Sequence, residues 1–314
     1  MISSSLRQSR AFICALILAI SVPIAAQLAS QNYCGEEGIW VQILGSGDLD
    51  LHNDRGAESY LVWVDQRAIL LVNAGSGTAV RFDQSNADFK DLEAIVLTQT
   101  SVTQTSDLPA LLVGSRRAYR EDPLTILGPT GDEDHLSTTD FLSRLTSEEG
   151  PFPSLAPLMS IRSPNGYQLR TRDVMAKGYK RWAEFGTDEF ILSAIPVHHG
   201  ATPTLAWRID IGDSSLVFAL SLSNRKGVLA EFASDADVIV YSHTLPVGVV
   251  GPPTDRFLLP REIGKISAAA DARFIVLGGR GWRTFGRESR TRDEVEKDYD
   301  GTIIFPDDLE CWGL

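Results

Sequence analysis

The chain has 314 residues, of which 43% are hydrophobic and 22% charged, so it can bury a substantial core in one large domain or two small ones. Its 26 glycines and 15 prolines are spread along the length, which indicates many short elements and argues against a helical bundle. The formal net charge of −12 disfavours binding to nucleic acid or to an anionic membrane surface. We therefore expect no nucleic-acid partner.

The amino terminus has the pattern of a secretory signal. Arg7 and Arg10 precede an apolar run at 11–26 that ends in two alanines. A transmembrane helix needs about 20 apolar residues, so this run predicts cleavage and export to the periplasm or medium. An uncleaved leader, which would be the only contact with a membrane, is the alternative. We take residues 27–38 as a linker and residues 39–314 as a single domain.

Two cysteines lie outside the predicted signal, Cys34 and Cys311, one near each end of the remaining chain. In an oxidising compartment such a pair favours a disulfide over free thiols. Two unpaired, buried thiols are the alternative. No histidine or basic cluster adjoins either cysteine in sequence, so we expect neither to be catalytic.

The body of the chain alternates between strand-like and helix-like segments. Runs rich in β-branched and aromatic residues predict strands at 39–46, 59–65, 68–75, 92–98, 124–129, 189–197, 205–212, 215–222, 237–243 and 273–279. Amphipathic segments predict helices at 77–84, 135–149, 225–234 and 260–271. Residues 150–188 read as an irregular surface excursion. Because both halves begin with strands and continue into helices, the order predicts an α/β (α+β) fold with two packed sheets and helices outside.

Four segments resemble, in order and spacing, those of the metallo-β-lactamase superfamily. They are VQILGSGDLD (41–50), SYLVWVDQRAILLVNAGSGT (59–78), LEAIVLTQTSVTQTSDLPALL (92–112) and AIPVHHGATPTLAWRIDIGDSSLVFAL (194–220). The resemblance extends over about residues 39 to 285. It implies a four-layer αββα sandwich in which two zinc ions are held between the sheets at strand ends.

The same resemblance places unusual residues at the zinc positions. The superfamily's loop reads Thr-His-x-His-x-Asp-His, and its ligands correspond here to Gln99, Ser101, Thr103 and Gln104. The other ligand positions correspond to Leu220, Gly279 and His199, and the Asp of the upstream Asp-Ala-Gly turn corresponds to Asn73. Only His199 keeps a ligand type, with His198 beside it. Since neutral amides and hydroxyls do not hold zinc at useful affinity, we expect no metal and no cofactor, although zinc is usual for the superfamily.

Loss of the ligands favours an exported, non-catalytic protein that binds a ligand or partner. A small polar or anionic ligand would suit a candidate pocket of Asn73, Gln99, Gln104, His198, His199 and Arg280. The alternative is an active hydrolase with an atypical site, acting on an ester, a lactam or a phosphodiester. In that case Ser101 or Ser221 is a candidate nucleophile with His199 as base, although the chain lacks a Gly-x-Ser-x-Gly elbow at these serines.

One segment, GGRGWRTFGRESRTR (278–292), interleaves cations with aromatic residues, as surfaces that bind phosphates or bases do. The acidic stretch DEVEKDYD (293–300) follows at once and offsets much of that charge. We therefore favour a solvated face or an internal ion-pair network over a nucleic-acid site. The resemblance places Arg280 and Arg283 near the mouth of the cleft, where they could attract an anionic ligand.

Overall fold

A computed structural model of the protein describes residues 34–48, 50–51, 53–161 and 166–314. The predicted signal peptide and most of the predicted linker lie outside these residues, so export stays a prediction. The described residues form one compact unit. Within the described ranges, no helix is both long and apolar enough to span a bilayer.

Two seven-stranded sheets form the centre of the fold. The strands are β1 (Ile39–Gly45), β2 (Ser59–Val64), β3 (Arg67–Val72), β4 (Ala94–Val96), β5 (Leu124–Pro129), β6 (Leu169–Val174), β7 (Trp182–Gly186), β8 (Ile191–Val197), β9 (Thr204–Ile211), β10 (Ser214–Ala219), β11 (Val238–Ser242), β12 (Phe274–Gly278), β13 (Thr302–Ile304) and β14 (Cys311–Gly313). The first sheet has the order β14-β1-β2-β3-β4-β5-β6 and the second β13-β12-β11-β10-β9-β8-β7.

Helices flank both sheets. They are α1 (Thr78–Gln84), α2 (Val102–Thr105), α3 (Leu108–Gly114), α4 (Thr138–Thr146), α5 (Leu229–Phe232), α6 (Pro260–Ala269) and α7 (Glu288–Val295). Buried side chains form one cluster between the sheets, including Tyr60, Trp207 and Phe218. Two further clusters lie on the outer faces, one under each set of helices. Because the central strands bury both faces, their sequences are nearly continuous apolar runs, and the predicted αββα sandwich is confirmed.

The prediction of irregular structure for 150–188 is wrong, because β6 and β7 lie there, along with a 3-10 helix at Pro153–Met159. Both strands are edge strands of their sheets. Four of the six residues of β6 and every residue of β7 are at least partly exposed. Edge strands of this kind carry polar residues on both sides and lack the apolar run by which the central strands were recognised.

The carboxyl-terminal strand is fastened to the first sheet in two ways. β14 pairs antiparallel with β1, with Trp40 opposite Gly313. A disulfide joins Cys34 to Cys311, whose Cα atoms are 5.3 Å apart. The predicted disulfide is therefore confirmed, and it links positions 277 residues apart.

Closing so long a loop restricts the unfolded chain, so we expect the bond to stabilise the fold measurably. The double variant Cys34→Ser/Cys311→Ser should lose about 3–5 kcal/mol of unfolding free energy in urea denaturation. Wild-type protein kept in reductant is the matched control and should show the same loss. Equal stability of the oxidised wild type and the double variant would contradict this expectation.

Candidate active site

The loop at Thr98–Asp107 leaves the end of β4 and runs between the two sheets. Asn73 braces its start, because its side-chain oxygen accepts hydrogen bonds from the Thr98 backbone (2.9 Å) and hydroxyl (3.1 Å). From the second sheet, the Leu205 amide donates to the Thr98 carbonyl at 3.0 Å. Asn73 adopts a left-handed conformation with φ of 59°. It is fully buried, so it holds the loop instead of facing a ligand.

The polar side chains of this loop satisfy one another. The hydroxyls of Ser101 and Thr103 lie 2.7 Å apart, and that of Thr103 donates to Gln104 Oε1 at 2.6 Å. Ser101 also hydrogen-bonds Gln104. The Gln99 amide nitrogen donates to the Thr204 hydroxyl at 3.0 Å, which ties the loop to the second sheet. Gln99 and Gln104 are buried, and these contacts keep most of their polar atoms paired.

His198 and His199 each contact a different residue of the 255–257 segment. His199 Nδ1 lies 2.8 Å from the Arg256 carbonyl, and its ring packs edge-on against Phe257. Burial lowers its pKa, and the hydrogen bond to the Arg256 carbonyl opposes this in part. His198 Nε2 is 3.0 Å from Asp255 Oδ1. Both rings are thus held by the 255–257 segment, and neither serine proposed as a nucleophile shares a side-chain hydrogen bond with His199 in the described residues.

At two zinc positions the structure gives no usable side chain. Leu220 packs in the core between the sheets, whereas the next residue, Ser221, lines the cleft. Gly279 follows β12 with φ of 60° and has no side chain to offer.

These residues do not fit zinc. The cleft positions carry amides, hydroxyls and one imidazole that already contacts a carbonyl. Across the described ranges, no group of three or more His, Cys, Asp or Glu is placed to hold a metal ion. Catalytic zinc takes three protein ligands of those types, and this donor set does not supply them.

A carboxylate that sequence analysis missed occupies the space beside Gly279. A Cβ built at Gly279 would lie 2.6 Å from Oε1 of Glu58. Glu58 immediately precedes β2 and is only 7% exposed. The Ser242 hydroxyl lies 2.7 Å from both of its carboxylate oxygens, and the Tyr60 hydroxyl lies 3.4 Å from Oε1. The sequence signal for this carboxyl was an acidic residue directly before an apolar strand, where burial of a charged group is costly unless it is hydrogen-bonded.

Glu58 lines a cavity of about 230 Å³ at the ends of the strands. The other lining residues are Asp48, Asp50, Ala57, Thr103, Gln104, Ser221, Thr244 and Phe257. Burial raises the pKa of Glu58 from 4.5 to about 7, and Asp48 adds to the effect while the Ser242 hydrogen bond opposes it. Such a carboxyl exchanges its proton near neutral pH, as a general base does.

Most of the predicted pocket lies away from this cavity. Of Asn73, Gln99, Gln104, His198, His199 and Arg280, only Gln104 lines it. Arg280 is buried, and its guanidinium pairs with Glu288 at 2.8 Å and with Asp307 at 3.2 Å. Arg280 therefore belongs to a buried ion-pair network and is not placed to attract a ligand at the mouth of the cleft.

The sequence is similar to that of several ribonucleases. It is 28% identical over 161 residues to Ribonuclease Z of Alkaliphilus oremlandii, covering 51% of this chain and 48% of that protein. It is 34% identical over 185 residues to Ribonuclease Z of Agathobacter rectalis, covering 53% and 58%. The chain thus spans about half the length of the curated relatives it matches. No family model matches.

Solved structures share the fold at low sequence identity. Human tRNase Z, short form, superposes with a TM-score of 0.66 at 14% identity, covering 87% of this chain and 98% of that one. The metallo-β-lactamase fold protein YhfI from Bacillus subtilis gives 0.65 at 16%, covering 88% and 100%. A diphosphatase of the PhnP family gives 0.57 at 14%, covering 88% and 97%.

These relatives correct two predictions. The expectation of a non-catalytic protein is wrong, since the sequence relatives are named as nucleases and the structural neighbours include a tRNase and a diphosphatase, whereas export stays a prediction. The exclusion of nucleic acid is wrong for the same reason. Net charge averages over the whole surface and does not decide what one local patch binds.

The raised pKa of Glu58 couples protonation to stability. The folded protein favours the neutral carboxyl, so the resulting stabilisation is complete below pH 4.5 and is lost as pH rises through about 7. We expect the unfolding free energy of wild type to fall, relative to Glu58→Gln, by about 3 kcal/mol across that interval. Urea denaturation at a series of pH values measures this difference. Parallel pH dependences of the two proteins would contradict it.

Proposed function

We propose, from the premise that this chain has the metallo-β-lactamase fold and belongs to that superfamily, that it hydrolyses phosphodiester bonds in RNA with its own side chains as the catalytic groups. The observation that carries the proposal is Glu58, a buried carboxyl whose pKa lies at about 7 in the wall of the cavity. The naming of the sequence relatives as ribonuclease Z supports the choice of substrate.

Glu58 is suited to activate water. A general base works best when its pKa is close to the operating pH, and it must reach the proton that it removes. The carboxylate faces the cavity, and Ser242 fixes its orientation by a hydrogen bond of 2.7 Å. Ser242 is itself held, because the Ser221 backbone amide donates to its oxygen at 2.7 Å.

The cavity also offers neutral hydrogen-bonding groups. Thr103, Gln104 and Ser221 line the same cavity as Glu58. The Gln104 amide nitrogen can donate to a non-bridging oxygen of a phosphodiester, whereas the Thr103 hydroxyl already donates to Gln104 Oε1. Burial dominates the pKa of Glu58, and the hydrogen bonds from Ser242 and Ser221 lower it only in part.

The proposed step balances without a metal ion. Glu58 takes a proton from water as the water oxygen bonds to phosphorus, the phosphorus–oxygen bond to the leaving group breaks, and the leaving oxygen takes a proton from solvent. Zinc has no part in this step, since the residues at the superfamily's ligand positions do not fit it. Asp48 lines the same cavity, and its charge adds to the rise in the pKa of Glu58 that burial causes.

We expect Glu58→Gln to reduce turnover of a small chromogenic phosphodiester by about 10²-fold or more, the usual contribution of a general base. Wild-type turnover should rise with pH through about 7, because only the ionised carboxyl accepts a proton. Assays should contain a chelator and compare single-stranded RNA with the small diester.

The matched control is Glu184→Gln, which alters an exposed glutamate on β7 that pairs with Arg172 at 2.5 Å. It should keep wild-type turnover. Absence of hydrolysis by wild type with chelator present, or equal turnover by Glu58→Gln and wild type, would refute the proposal.

A further inference from the structure

We propose that the loop at Gly281–Arg287, after β12, is a binding site for single-stranded RNA, with Trp282 stacking on an unpaired base and the neighbouring arginines contacting phosphates. The inference rests on the proposed function, because it names where the substrate is held. We call this segment the Trp282 loop.

The Trp282 loop adjoins the cavity directly. The Trp282 backbone amide donates to Asp50 Oδ2 at 2.5 Å, and Asp50 lines the cavity. A Cβ at Gly281 would lie 2.0 Å from Asp48 Oδ2, so glycine allows this close approach. The Thr284 hydroxyl donates to the His243 carbonyl at 2.8 Å and fixes the loop from behind. A strand held at this loop would therefore pass the Glu58 cavity.

The loop presents large aromatic surfaces to solvent. Trp282 is 69% exposed and Phe285 51% exposed. The Arg283 guanidinium lies 5.2 Å from the centre of the Trp282 ring, and Arg55 lies 5.0 Å from that of Phe285. An exposed indole beside an arginine is how proteins stack single-stranded bases while holding the adjacent phosphate.

The arginines of the loop keep their charge available. Arg283, Arg287 and Arg290 are exposed, and none pairs with a carboxylate among the residues that the structure describes. Three of the five acidic residues at 293–300 form ion pairs with cations outside the Trp282 loop. Glu294 contacts Arg261 and Lys297, Asp298 contacts Arg261, and Glu296 contacts Arg292.

The geometry favours unpaired RNA over a duplex. Stacking on Trp282 requires an exposed base face, which a duplex hides within its own stack. Contacts from arginines to the backbone are sequence-independent, so we expect affinity without strong sequence preference.

The test measures equilibrium binding of a fluorescein-labelled single-stranded RNA of about 12 nucleotides by anisotropy, in the Glu58→Gln protein so that the RNA stays intact. We expect Trp282→Ala to weaken binding at least tenfold and Trp282→Phe to keep most of the affinity, because a second aromatic face still stacks. Arg283→Gln should lower the slope of log affinity against log salt by about 0.7, the value for one phosphate contact with a single strand.

Tyr119→Ala is the matched control. Tyr119 is 93% exposed but precedes β5, at the opposite end of the strands from the cavity, and its loss should leave binding unchanged. Unchanged affinity in Trp282→Ala would overturn the proposal. So would tighter binding of the same RNA as a duplex, or conversion of a dimer to a monomer by Trp282→Ala in sedimentation, which would assign the surface to a second copy of the chain.

Failure of the two proposals can be told apart. Hydrolysis of the small diester by wild type tests the catalytic proposal alone, because that substrate is too short to need a separate base-stacking site. RNA binding that depends on Trp282 without any hydrolysis would overturn the catalytic proposal and support this one. Hydrolysis together with RNA binding that does not depend on Trp282 would overturn only the proposal for the Trp282 loop.

Discussion

The burial of the Glu58 carboxyl beside Gly279 is the constraint on which the rest of the cleft depends. A side chain at position 279 would collide with this carboxyl, and Gly279 leaves room for it. A buried carboxylate without a cation is costly, so the group shifts its pKa toward neutrality and takes hydrogen bonds from Ser242 and Tyr60. Introducing a zinc ligand at 279 and keeping Glu58 in place are therefore mutually exclusive.

The loop after β4, which contributes Thr103 and Gln104 to the same cavity, contains no charged side chain from Thr98 to Ser106. Its side chains pair with one another and with Thr204, so the loop holds its shape through neutral hydrogen bonds. Asn73 uses its oxygen to brace the Thr98 backbone. The loop thus keeps its shape by these contacts, and the carboxyl groups of Glu58, Asp48 and Asp50 line the cavity beside it.

The central strands could be predicted from the sequence, because they bury both faces and therefore consist of nearly continuous apolar residues. β6 and β7 escaped prediction because edge strands need no such run. In the cleft, comparison position by position with the superfamily showed which side chains differ from zinc ligands. It did not reveal Glu58, because that carboxyl reaches the space from another strand. The net charge gave a wrong exclusion of nucleic acid, because it averages over the whole surface and does not decide what one local patch binds.

The central claim is that Glu58 is a buried carboxyl that changes protonation near neutral pH. Its titration can be followed directly by the ¹³C chemical shift of the carboxyl carbon in glutamate-labelled protein, with Glu58→Gln identifying the signal. A midpoint at about 7 is the result that the account predicts. A midpoint near the ordinary value of 4.5 would contradict it.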